Sequence, residues 1–177
     1  MDTTIFDYIQ RLEMMAFFSG YPLIYAFVFF IAGFQHTKTS FISTVASLLP
    51  FAYAFVGTLF LGLQIRNLYP DFSIENIALN FNESYLKIWG LLSLLFWIPF
   101  LGKKPILSLI HSLVFFFYLT IDLFLYAINS SVAKADVKNE MKIYSDSLIL
   151  NLAALVVILL IYFFLRRFKI IKDSSLR

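Results

Sequence analysis

The sequence predicts an all-α, polytopic integral membrane protein, a bundle of five transmembrane helices in a single domain spanning residues 1–177. Three observations predict it. Apolar stretches at about residues 14–34, 41–65, 85–101, 105–128 and 147–165 carry almost no formal charge. Four of the five meet or approach the roughly 20 helical residues that cross a bilayer core about 30 Å thick. Hydrophobic residues make up 60% of the chain and charged residues 14%. Soluble domains carry about 45–50% and about 25%, so too few polar groups remain here for a water-facing shell. The joining segments alternate between basic and acidic, as the loops of a multi-pass chain do.

The rest of the composition excludes function classes. The chain has 22 Phe but 6 Gly and no Cys. It therefore has no glycine-rich phosphate cradle, thiolate nucleophile, disulfide or Cys-based metal site. Its net charge of +3 is no nucleic-acid signal, because no solvated domain carries a basic face. Asp2 and Asp7 stand where a removable signal peptide would be basic, so the first span is expected to stay in the protein.

Residues 1–13 place Ile5, Tyr8, Ile9 and Leu12 at helical spacing. They predict either an outer amphipathic helix or an extension of the first span. Gly20, Tyr21 and Pro22 fall in the outer part of that span, where proline bends a helix without ending the crossing. The second stretch holds Ala46, Pro50, Ala54, Thr58 and Gly62 at four-residue steps. Small residues so spaced make a strip on which another helix packs closely; a gating hinge at Pro50 is the alternative. Residues 66–84 are too apolar for a linker and predict an interfacial helix or a cap over the bundle mouth. The Asn82-Glu83-Ser84 triplet there matches a glycosylation acceptor, a short pattern of little weight alone.

The third stretch is the shortest. Lys87 at its start is expected to snorkel outward, and Trp89 and Trp97 to anchor its two ends at the interfaces. Gly102 to Pro105 predict a tight turn into an antiparallel hairpin with the fourth span. Residues 129–146 predict a solvated loop or short helix, and residues 166–177 a basic tail.

The charge pattern orients the chain. Lys38, Lys103, Lys104, Arg166, Arg167, Lys169, Lys172 and Arg177 share one side with one acid, Asp173, whereas nine acids and six basic residues fall on the other. Lys and Arg are retained on the cytoplasmic side, so the N-terminus is expected outside and the C-terminus inside a cytoplasmic (inner or plasma) membrane.

The candidate site is a polar stripe on the fourth span: His111, Tyr118, Asp122 and Asn129, spaced 7, 4 and 7 apart. At about 100° per residue the four fall within roughly 40° of one face. A carboxylate at that depth costs about 2.5–3.5 kcal/mol unless paired, protonated or wetted. Asp122 therefore either pairs with Arg66 or Lys87, locking helices together, or lines a hydrated path for a proton, ion or small solute. His111 is expected to be a buried imidazole bonded to Ser43, Thr44 or Ser47. A sharper alternative pairs it with His36 as the two axial ligands of a haem.

Motifs for catalysis are absent from the sequence. The stripe has one acid, not the two of an intramembrane aspartyl protease, and the two histidines do not form HExxH. Ser108 and Ser112 lie near His111 without a G-x-S-x-G context. No acid pair on the inner side suits a divalent metal, although a site completed by another chain stays open. The leading expectation is a non-enzymatic accessory, anchoring or assembly subunit that meets another membrane protein or a second copy of itself. A small transporter or channel subunit using the stripe is the alternative, and a polytopic enzyme a distant third.

Overall fold

The computed structural model describes residues 14–34, 40–69, 72–73, 85–128 and 134–168. Residues 1–13, most of the 66–84 segment, His36, Asn129 and the chain beyond 168 lie outside them, as does the side chain of Asp122. Every regular element among the described residues is helical: α1 (14–18), α2 (Tyr21–Phe34), α3 (Ser40–Leu68), α4 (Tyr85–Leu91), a 3₁₀ segment (Leu92–Trp97), α5 (Pro99–Gly102), α6 (Pro105–Ile128) and α7 (Lys134–Arg167).

The first span breaks rather than bends. A turn at Ser19 and Gly20 separates α1 from α2. Pro22 explains the position: it has no N–H to offer the carbonyl of Phe18, and its ring crowds that carbonyl. Pro50 has no such effect in α3, which runs unbroken through it over 29 residues, about 43 Å.

The third segment departs most from expectation. After α4 the helix tightens to 3₁₀ and stops at Ile98, which is extended at φ −71°, ψ 124° before Pro99. Proline pushes the residue before it out of the helical region, so α5 starts in a new direction. Together α4 and the 3₁₀ segment reach only about 22 Å, short of a bilayer core.

Three helices among the described residues are long and apolar enough to cross a membrane: Met14–Ile31, Phe41–Leu68 and Met141–Arg167. Tyr85–Trp97 and Pro105–Ile121 are shorter apolar helices, so three candidate spans stand where the sequence predicts five. The last helix differs too: residues 134–146, expected as a loop or short helix, continue directly into the span. At 34 residues α7 measures about 51 Å, so several turns extend beyond a bilayer core.

α3 is the hub, packing against every other helix from α2 onward and against the 3₁₀ segment. Phe18 lies at the core, with ring centroids 4.7 Å from Phe115, 5.3 Å from Phe60 and 5.6 Å from Tyr53. α7 is peripheral: 22% of Met141–Arg167 is buried, against 50% of each of the other two long helices.

The small-residue strip on α3 divides. Pro50 and Ala54 are buried and Ala46 is half-buried, but Thr58 and Gly62 are exposed, and a Cβ on Gly62 would meet nothing within 4 Å. A row at four-residue steps rotates about 40° per step, or about 160° from Ala46 to Gly62, and so leaves the packed face. The tightest approach of a glycine to another segment's backbone is elsewhere. A Cβ on Gly20 would lie 2.6 Å from the backbone nitrogen of Leu148.

Candidate functional site

Two clusters of buried polar groups lie at crossings between segments. In the first, the Tyr53 hydroxyl of α3 and His111 Nδ1 of α6 are hydrogen-bonded at 2.7 Å. Trp89 of α4 lies flat on the imidazole, centroids 4.8 Å apart and planes 5° apart, and donates its indole N–H to the His111 carbonyl at 3.1 Å. Phe96 meets the same ring edge-on at 5.9 Å. Tyr21 of α2 extends the cluster, its ring 4.5 Å from that of Tyr53 and its hydroxyl 2.7 Å from Ser108 Oγ. Ser108 and Ser112 donate to carbonyls three residues back, Pro105 and Leu109, as serines in spans commonly do.

The second cluster repairs the broken first span. Helix ends leave backbone groups unsatisfied, and at this break Ser147 and Asn151, one turn apart on α7, supply the partners. Ser147 Oγ accepts from the Gly20 N–H at 2.8 Å, and Asn151 Nδ2 donates to the Phe17 carbonyl at 2.7 Å and to the Ser147 carbonyl at 2.8 Å. The close approach at Gly20 puts Ser147 within reach. The sequence reading missed this pair, although Ser and Asn at i and i+4 are the polar break in an otherwise apolar run.

Of the predicted stripe, His111 and Tyr118 are met from neighbouring segments. His111 bonds Tyr53 rather than Ser43, Thr44 or Ser47. Six residues separate Ser47 from Tyr53, about 9 Å along α3, and Ser47 donates instead to the Thr44 carbonyl at 2.8 Å. The Tyr118 hydroxyl is hydrogen-bonded to that of Tyr85. Asp122 lies on α6 and Arg66 is exposed in the last turn of α3. Lys87, expected to snorkel outward, is buried at 2% exposure on the face of α4 shared with Leu86 and Gly90. That face continues into Ser93 and Phe96, the side turned to the bundle. Nor do the tryptophans serve only as interface anchors, since Trp97 donates to Thr58 Oγ1 at 3.0 Å.

No family model, curated protein or solved structure matches the chain. Its site must therefore be read from its own geometry.

That geometry joins helices. Each crossing places a donor on one segment against an acceptor on another, in surroundings where an unmet polar group costs several kcal/mol. Among the described residues Ser19 Oγ, His111 Nε2 and Asn151 Oδ1 are buried without a partner, and no three His, Asp or Glu side chains cluster as a metal site would require.

Proposed function

We propose that this chain is a non-enzymatic, five-pass protein of the cytoplasmic membrane that works as an anchoring or assembly subunit of a membrane complex. In this reading the N-terminus is outside and the arginine-bearing end of α7 is inside. One observation carries it: buried polar side chains bond across segments, to a side chain in Tyr53–His111 and Tyr21–Ser108 and to backbone in Ser147–Gly20 and Asn151–Phe17. A scaffold needs such fixed joints. The largely exposed α7 then offers its apolar surface to lipid or to a partner helix, with Leu152, Val156, Leu160 and Phe164 along it.

The five-pass arrangement has support in where the short elements sit. The 102–105 turn, residues 46–51 in the first half of α3 and residues 158–165 of α7 border one groove, so basic Lys103 and the Arg166–Arg167 end lie toward one end of the bundle. Purification in mild detergent tests the role. The anchoring reading requires one membrane protein, or a second copy of this chain, to be recovered in fixed stoichiometry.

A conducting role is the second reading, favoured by the three unpartnered buried atoms, which a hydrated path would satisfy. Proteoliposomes holding the purified chain and a pH-sensitive dye separate the two. Proton flux abolished by Asp122→Asn would support conduction, and absence of flux supports the scaffold.

A further inference from the structure

Of the grooves on this surface, one joins an apolar floor to a basic rim. It holds about 730 Å³ between α3 and α7, where Leu48 and Phe51 face Ile158 and Ile161. Its rim carries Lys103, with Tyr162 and Ser47 as further polar groups, and Trp97 forms part of its wall. Leu165 also lines it, and Arg166 and Arg167 follow directly in the last turn of α7. The adjacent Lys104 is engaged differently, its ammonium 4.6 Å from the centre of the Phe100 ring.

A second groove of about 670 Å³, between α2 and α7, makes the contrast. Leu23, Phe27 and Phe30 face Leu148, Leu152 and Leu155 there, and no charged residue lines it. It offers a chain-shaped apolar surface with nothing to select a headgroup.

We infer that the groove below Lys103 binds one anionic glycerophospholipid, an acyl chain lying between α3 and α7 and the phosphate held at Lys103 and the Arg166–Arg167 end. Both halves of the ligand are matched. The volume falls within the roughly 300–1,000 Å³ of small-molecule sites, the floor suits hydrocarbon, and Lys103 on the rim, with Arg166 next after Leu165 on α7, complements a lipid phosphate. Basic pockets between helices at a membrane face are suited to anionic headgroups, and each Lys or Arg near the surface adds about fivefold in affinity. This inference rests on the membrane reading above and names a ligand for one face of it.

The full chain is tested in phosphatidylcholine vesicles doped with lipid brominated on its acyl chain, since bromine quenches a tryptophan it touches. Subtracting the signal of Trp97→Phe isolates Trp97. Brominated phosphatidylglycerol is expected to quench Trp97 at an at least about fivefold lower mole fraction than brominated phosphatidylcholine. Lys103→Gln should reduce that preference by about fivefold and Lys103→Arg should keep it. Ala46→Phe narrows the groove without changing charge and should remove the preference, with helix content checked by circular dichroism.

Equal quenching by both lipids, or a preference untouched by Ala46→Phe and Lys103→Gln, overturns the site while leaving membrane insertion standing. If neither lipid quenches either tryptophan, the membrane reading fails and this inference fails with it.

Discussion

The Tyr53 hydroxyl and His111 Nδ1 meet at 2.7 Å across the α3–α6 crossing, 58 positions apart in the chain, and Trp89 covers the imidazole face from a third segment. One histidine thus fixes three segments relative to one another. Hydrogen bonds between membrane helices average about 0.6 kcal/mol and reach about 1.7, so Tyr53→Phe is expected to cost about 1 kcal/mol. His111→Ala also removes the Trp89 stack and leaves a cavity, for a loss of about 2–4 kcal/mol. Unfolding in mixed detergent micelles with rising dodecyl sulfate measures both. Equal and negligible losses would show that the crossing is not held this way.

Gly20 and Gly62 give a matched pair of glycine tests. Gly20→Ala forces a methyl to 2.6 Å from the Leu148 backbone, where no rotamer can yield, and is expected to destabilise by about 1–3 kcal/mol. Gly62→Ala meets open space and is expected to be neutral or to stabilise by about 0.5–1 kcal/mol through reduced backbone entropy in a helix. The same unfolding assay checks the contrast, and a reversed order would contradict the packing of α7 on the break.

Ser147 and Asn151 serve the same break, so their losses should not add. Ser147→Ala removes the acceptor for the Gly20 N–H, and Asn151→Leu removes the donor to the Phe17 carbonyl. Each is expected to cost about 1–3 kcal/mol, the penalty of a buried group left unmet. A double-mutant cycle should give a coupling of about 0.5–3 kcal/mol; strict additivity would mean that the two act independently.

Much of the architecture was legible because lipid constrains sequence severely. The apolar runs locate the helices, Pro22 marks the place where the first span breaks, and the polar spacing on α6 identifies His111 and Tyr118, both hydrogen-bonded across segments. Their partners were not legible. Tyr53 and Tyr85 read as two more aromatics in a Phe-rich chain, and only the fold opposes them to the stripe. The third segment also escaped, because apolar content reveals burial and not whether a helix tightens to 3₁₀ and stops before Pro99. The α3 strip turns off the packed face beyond Ala54, where Thr58 meets Trp97 and a Cβ on Gly62 would meet nothing within 4 Å, since a four-residue repeat turns steadily off any straight contact.

Asp122 supplies the test of role. If the scaffold reading holds and the pairing expected from the sequence is made, Asp122→Asn is expected to cost about 3–5 kcal/mol. Protein recovered from membranes should fall, and Asp122→Glu should restore part of it. Normal accumulation with altered ion or proton flux would favour the conducting reading instead.

The most direct test of the five-pass fold uses the absence of native cysteine, which lets single cysteines report their side of the membrane. Asn67→Cys, Lys103→Cys, Ser145→Cys and Phe168→Cys are treated in intact cells with a membrane-impermeant maleimide, before and after permeabilisation. The account predicts that positions 67 and 145 label from outside, whereas 103 and 168 label only once the membrane is opened. Labelling of position 103 from outside, together with 67 and 145, would contradict it, because the segments flanking the 102–105 turn would then not cross.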